Sequence, residues 1–184
     1  WNASLFRTLL RDDIQFIASG GGINTGYLHN LGETERRGFE LGASIAYGRF
    51  RLVGNYSRID ARFLAGFRAH SPNNSAADAT GDIDVASGNR LPGIPAHTLN
   101  LRAEWTALPA WTLAATMNAV GPQFARGDEN NADAGGMLPS YRMFNIAASR
   151  DLGRGWDLLL KIDNVLNRSF QSFGVLGRNF FTGP

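Results

Sequence analysis

The sequence predicts an all-β fold, an antiparallel meander of about eight or nine strands that forms part of a transmembrane β-barrel wall. Three observations predict it. Apolar and polar residues alternate with period two along several segments long enough to cross a bilayer as tilted strands. Short turns alternate strictly with long polar loops, so every short turn falls at one end of the sheet and every long loop at the other. Aromatic residues gather beside the short turns, where amphipathic rings sit well at a membrane interface.

Taken in order, Ala3–Leu10 and Ile14–Ala18 read as two short strands around Arg11-Asp12-Asp13. Ser19-Gly20-Gly21-Gly22 is a flexible break. No Gly-Lys-Ser/Thr follows it, so a phosphate loop is not expected there. Glu35–Tyr47 is a long strand, with Phe39, Leu41, Ala43, Ile45 and Tyr47 on one face and Glu40, Gly42, Ser44 and Ala46 on the other. Gly48-Arg49 turns the chain. Phe50, Leu52, Gly54 and Tyr56 then oppose Arg51, Val53, Asn55 and Ser57. The phase blurs near Ile59, where the strand is expected to leave the membrane or to bulge.

Leu64–Pro95 reads as a long polar loop, of the kind that is usually functional or disordered. Thr98–Ala107 returns as a strand, with Leu99, Leu101, Ala103 and Trp105 against Thr98, Asn100, Arg102 and Glu104. After Leu108-Pro109-Ala110, the residues Trp111, Leu113, Ala115, Met117 and Ala119 oppose Thr112, Ala114, Thr116 and Asn118. Gly121–Pro139 is a second long polar loop. Tyr141–Leu152 and the segment opening at Trp156 form a hairpin around Gly153-Arg154-Gly155. Tyr47, Phe50, Trp105, Trp111 and Trp156 flank the three short turns and suggest a periplasmic girdle.

Composition narrows the function classes. The 184 residues carry a formal charge of +2 and no cysteine, which removes disulfide, zinc-finger and thiol-catalysis readings. No run approaches the roughly 18–20 apolar residues of a membrane helix, whereas a spanning strand needs only about 9–11. The arginines are scattered rather than striped, so no nucleic-acid partner is expected. The chain opens at Trp1 and reads as a piece of a longer precursor.

No catalytic constellation, cofactor site or metal-ligand spacing is legible, and no enzyme is expected. His29, His70 and His97 each stand alone in sequence, and His97 reads as a satisfied residue at the opening of a strand. Asp128-Glu129-Asn130-Asn131-Ala132-Asp133 is acidic enough to suggest calcium. It breaks the EF-hand pattern at Ala132 and is read as a solvated loop. Asn73-Asn74-Ser75 and Asn167-Arg168-Ser169 match the glycosylation sequon, with no modification expected on a bacterial outer-membrane chain. If the long loops bind a ligand, the candidates by residue type are Arg68, His70 and Arg126 as cations for an anionic chelate and Phe124 for stacking.

Three segments carry a resemblance to a known family. Asp163-Asn164-Val165-Leu166-Asn167-Arg168 leads into Phe170, Phe173-Gly174-Val175-Leu176-Gly177 and Asn179-Phe180-Phe181-Thr182-Gly183-Pro184. Upstream stand Gly32-Glu33-Thr34-Glu35-Arg36-Arg37-Gly38-Phe39-Glu40-Leu41-Gly42 and the Leu91-Pro92-Gly93-Ile94-Pro95-Ala96-His97 segment, which opens at Asn89-Arg90 and runs into Thr98-Leu99-Asn100-Leu101. In this order and spacing they resemble the C-terminal part of TonB-dependent outer-membrane receptors, from about Gly32 onward. The resemblance implies a roughly 22-stranded transmembrane β-barrel closed by an N-terminal plug. It implies residues 1–184 as a partial C-terminal barrel region, with the plug and the last strand absent. It further implies import of a ferric siderophore or similar scarce nutrient across the outer membrane of a Gram-negative bacterium. The implied partners are outer-membrane lipid, the ferric siderophore, and the TonB complex acting through the missing N-terminal region. A different outer-membrane barrel, such as a porin or adhesin translocator, and a soluble β-sandwich binding module stand as alternatives.

Overall fold

The computed structural model describes residues 1–18 and 26–177. The glycine break at Ser19–Gly22 and the aromatic stretch Asn179–Pro184 lie outside the described residues. Strand order is β1 (Asn2–Leu10), β2 (Ile14–Ala18), β3 (Gly26–Asn30), β4 (Thr34–Tyr47), β5 (Phe50–Phe63), β6 (Phe67–His70), β7 (Asp82–Val85), β8 (His97–Leu108), β9 (Trp111–Val120), β10 (Gln123–Phe124), β11 (Met137–Leu138), β12 (Tyr141–Gly153) and β13 (Trp156–Ile162).

Seven of these form one antiparallel sheet in the order β1-β4-β5-β8-β9-β12-β13. Among the described residues the wall therefore has seven strands, against the eight or nine expected. Ile14–Ala18 belongs instead to a small hairpin, β2–β3, inside the connection between β1 and β4. Two more hairpins, β6–β7 and β10–β11, occupy the connections expected to be long polar loops. The short turns β4–β5, β8–β9 and β12–β13 share one end of the sheet, and the three hairpins share the other.

Residues directly opposite in an antiparallel pair point to the same face, so the register fixes both faces. One row runs Ile45, Leu52, Ala103, Ala115, Ile146 and Ile162 across six strands. Its neighbour runs Tyr47, Phe50, Trp105, Leu113, Ala148 and Leu160. The opposite face carries Arg51, Glu104, Asn55, Asn100, Asn118, Thr116 and Lys161. Asn100 Nδ2 donates to Asn118 Oδ1 at 2.5 Å on that face, and Arg102 pairs with Glu104 at 2.8 Å. Gly38 is required on that face: a Cβ at this position would meet the Arg58 backbone carbonyl on β5.

The apolar face is uncovered. Leu41 is 47% exposed, Ile45 65%, Leu52 48% and Leu160 56%, and no second sheet among the described residues packs against them. A β-sandwich would bury this face. A barrel wall turns it to lipid, and the sheet has that form. Beside the short turns, Phe50 and Trp105 stack with centroids 5.8 Å apart, and the Arg150 guanidinium lies 5.4 Å from the Trp111 ring.

The blurred phase near Ile59 has a definite cause. The pairing of β4 with β5 runs without a bulge from Tyr47↔Phe50 to Thr34↔Phe63. Beyond Tyr56 the faces exchange chemistry. The outward residues become Arg58, Asp60 and Arg62, while the inward residues become Ile59, Ala61 and Phe63. There the strand has left the apolar band, and the loops cover its inner side. The compact core of the molecule lies at that height: Ile17, Leu31, Ala61, Phe63, Ala69, Ile83, Val85 and Leu91 are buried together.

Candidate functional site

The long-loop end is a built structure. Phe63 and Phe67 meet edge to face at 5.1 Å and anchor the β6–β7 hairpin onto the top of β5. The connection carrying that hairpin is then tied to the connection carrying β10 and β11. Ser71 Oγ and Asn74 Nδ2 both donate to the Gly127 carbonyl, at 2.8 and 3.0 Å. Asn74 Nδ2 also reaches Asn130 Oδ1, and Ser75 N donates to Asp133 Oδ2 at 2.6 Å. Asn89 Nδ2 donates to the Asn130 carbonyl.

Asp128–Asp133 is the hub of this network, which corrects the expectation of a solvated loop. Asp128 and Glu129 are 0% and 3% exposed. Asp128 Oδ1 accepts the amides of Ala132 and Asp133, both at 2.9 Å, and so closes the turn. Burial pushes the Asp128 carboxyl above its ordinary value, and the nearby Asp133 charge adds to that, against the hydrogen bonds. Glu129 is raised by burial first and by the Asp128 charge second. Each keeps one buried carboxylate oxygen without a hydrogen-bond partner among the described residues. Among the described residues, no group of three or more His, Asp or Glu side chains is placed to hold a metal ion.

Beneath the tied loops, on the inward side of the wall, lies a cavity of 300 Å³. Its lining includes Gln15 and Phe16 of β2, Arg36 of β4, Leu91, Arg126, Glu129 and Phe173. Asp13 organises one wall, accepting from Thr34 Oγ1 at 2.6 Å, Gln15 Nε2 at 2.7 Å and Arg36 Nη2 at 3.2 Å. Burial works to raise the Asp13 carboxyl, but the hydrogen bonds from Thr34, Gln15 and Arg36 outweigh it and leave the group below its ordinary value. Elsewhere in the lining the Arg126 guanidinium lies 5.3 Å from the Phe173 ring. Gly174 and Leu176 exchange backbone hydrogen bonds with Arg126 and hold that ring in place. The void is lined by two guanidinium groups, Arg36 already paired with Asp13, together with an amide, two aromatic rings and the Glu129 carboxyl; the guanidinium and ring surfaces suit an anionic, oxygen-rich ligand with planar parts.

Of the four residues expected from sequence, Arg126 alone lines this cavity. Arg68 is consumed by ion pairs with Asp78 and, at 3.5 Å, Asp82. His70 Nδ1 meets Asp82 Oδ1 at 2.8 Å, and its amide donates to the Tyr27 hydroxyl. Both serve the β6–β7 hairpin. Hydrogen bonds from Thr80 and from the Asp82 amide hold Asp78 down at about 2. Phe124 sits in β10, and its carbonyl accepts from Gly93 N at 2.8 Å. His97 is partnered as expected, its Nδ1 2.6 Å from the Tyr56 hydroxyl. Gln15, Arg36, Glu129 and Phe173 were missed. For Arg36 a signal existed, because the parity of β4 puts it on the face opposite Phe39 and Leu41.

The TonB dependent receptor-like β-barrel family model matches residues 1–165. The metal-pseudopaline receptor CntO of Pseudomonas aeruginosa is 26% identical over 148 residues, which is 80% of this chain and 19% of that protein. The chain thus spans about a fifth of the length of the curated relative it matches. Among solved structures, the siderophore receptor PiuA from Acinetobacter baumannii superposes with a TM-score of 0.70 at 20% identity, covering 95% of this chain and 23% of that one. The ferric yersiniabactin uptake receptor FyuA from Yersinia pestis gives 0.64 at 18% identity, covering 93% and 23%. The copper transporter OprC gives 0.64 at 16% identity, covering 95% and 23%.

Proposed function

The chain belongs to the TonB-dependent receptor-like β-barrel family, and from that premise we propose that it supplies part of the wall and mouth of an active transporter importing a ferric siderophore or similar metal chelate. The transporter sits in the outer membrane of a Gram-negative bacterium and is driven by the TonB complex. The relatives named for metal-pseudopaline, siderophore and ferric yersiniabactin support a metal chelate as cargo.

The observation that carries the reading is the cavity under the tied loops, whose lining includes both Arg36 and Arg126. A ligand arriving from the long-loop side meets the exposed Arg126–Phe173 pair first. Arg36, held by Asp13, stands deeper on the wall. A negatively charged chelate gains from both guanidinium groups, and the aromatic rings exclude water from its planar parts. The wall itself contributes no chemistry: its outward face is apolar and its inward face is polar and hydrated.

The test is uptake of radiolabelled ferric chelates by iron-starved cells that lack the full-length receptor and are complemented with it. Arg126→Ala and Arg36→Gln should each lower ligand affinity about tenfold, as loss of a charge-assisted contact implies. Wild-type uptake of every chelate in a chemically varied panel by both variants would rule this cavity out.

A further inference from the structure

Above the apolar band, the outward face of β1, β4 and β5 carries a cluster of arginines that the transport reading does not use. Cross-strand pairing places Leu5, Phe39 and Arg58 in one row, and Arg7, Arg37 and Asp60 in the next row toward the loops. All six line an outward cavity of 490 Å³.

The charges there do not cancel. Glu35 is shared by Arg7 at 2.5 Å and Arg37 at 3.7 Å. Asp60 is shared by Arg37 at 3.1 Å, Arg62 at 2.9 Å and Arg90 at 4.0 Å. Arg58 is exposed and makes no ion pair among the described residues. Five arginines therefore face two carboxylates. Immediately below them the face turns apolar through Leu5, Phe39 and Leu41, which is 47% exposed.

We propose that this cluster binds the phosphate of an anionic glycolipid in the outer leaflet, with the lipid's acyl chains lying along Leu5, Phe39 and Leu41. The guanidinium fork matches phosphate geometry. A cationic surplus at the edge of an apolar surface is what an anionic amphiphile needs, because head and tail are satisfied one row apart. A free anion would use the arginines and leave the apolar row without a role. The proposal rests on the barrel reading, with the long-loop end outside the cell.

The test uses the full-length receptor that contains this chain, purified in detergent and stripped of lipid, with native mass spectrometry of lipid A titrations. Heat-modifiable gel mobility, checked first on each sample, reports the folded barrel. A protein without it would sink the barrel reading rather than this one. Folded wild-type receptor should retain bis-phosphorylated lipid A about tenfold better than dephosphorylated lipid A, and Arg58→Gln should abolish that preference. Arg58→Lys, which keeps the charge and loses the fork, should fall between them. Arg11→Gln, in the β1–β2 turn, should match wild type. Equal binding of both lipids, an unchanged preference in Arg58→Gln, equal retention of phosphatidylglycerol, or full competition by inorganic phosphate would each overturn the proposal.

Discussion

Arg90 and Asn131 clasp each other across the two long connections: the Arg90 amide donates to Asn131 Oδ1 at 2.6 Å, and Asn131 Nδ2 donates back to the Arg90 carbonyl at 3.0 Å. The asparagine amide imitates the paired N–H and C=O that a neighbouring strand would present. Asn131 reaches this position with φ at 56°, in the left-handed region that asparagine tolerates better than most residues. Its Nδ2 also donates to the Asp128 carbonyl, so one side chain closes its own turn and joins the two connections.

Asn131→Ala removes that clasp and keeps the backbone strained. Leaving the Arg90 groups unpaired should cost about 1–3 kcal/mol of loop-docking free energy. Amide exchange at residues 89–91 and 128–133 of the full-length receptor should accelerate accordingly, while exchange in β8 and β9 stays unchanged. Unaltered exchange at Arg90 would show that the clasp does not hold the loops.

The loop assembly should also respond to pH, in two directions. Asp128 and Glu129 are raised by burial, so the docked loops bind more protons than the open ones, and docking strengthens as pH falls through their raised values. Asp13 and Asp133 are held below the ordinary carboxyl range, so their contribution is present above that range and is lost as pH falls through their lowered values. Loop exchange should therefore slow on mild acidification from neutral pH and quicken again in strong acid. Glu129→Gln removes one of the two raised carboxyls and keeps the shape. It should weaken the first phase, leaving the part due to Asp128, and leave the second intact.

The wall makes a sharper prediction through two adjacent residues. Met117 pairs with Leu101 and Phe144 on the outward face, and Thr116 pairs with Arg102 and Asn145 on the inward face. Met117→Arg puts a guanidinium against lipid near the middle of the band, at a cost of about 2–4 kcal/mol. Thr116→Arg places the same group beside water and the existing Arg102–Glu104 pair. Urea unfolding of the full-length receptor in micelles should show a large loss for the first and a small one for the second. Equal losses would mean that the faces are assigned wrongly.

These contrasts mark what the residues disclose on their own. Alternation such as Leu99, Leu101, Ala103 and Trp105 against Asn100, Arg102 and Glu104 is a repeating signal. It identified the wall, its faces and its polarity, because a lipid-facing strand must keep one chemistry along its length. The loop end has no such repetition. Ser71, Asn74, Asn130 and Asn131 look the same whether they are solvated or buried in a network, and only their distant partners decide. Arg68 and His70 looked available because the carboxylates that engage them, Asp78 and Asp82, are brought close only by the β6–β7 pairing. Phe173 reached the cavity through a backbone strap to Arg126, which local patterning cannot foresee.

The clearest separation of the two halves should come from Phe63. It is fully buried at the top of β5, packed on Phe67 and surrounded by the loop core, while its strand partner Thr34 completes the last pair of the β4–β5 ladder. Truncation in Phe63→Ala leaves a cavity among Ile83, Val85 and Leu91 and should cost about 3–5 kcal/mol. That loss falls on docking of the β6–β7 hairpin, not on the wall, because Phe63 lies above the band and makes no contact with lipid. The receptor should still show heat-modifiable mobility and unchanged protection in β8, β9 and β12, yet the β6–β7 connection should become protease-sensitive and ligand uptake should fall. Phe63→Leu, which keeps most of the volume, should recover much of both. Loss of heat-modifiable mobility in Phe63→Ala would mean instead that the loop core and the wall fold as one unit.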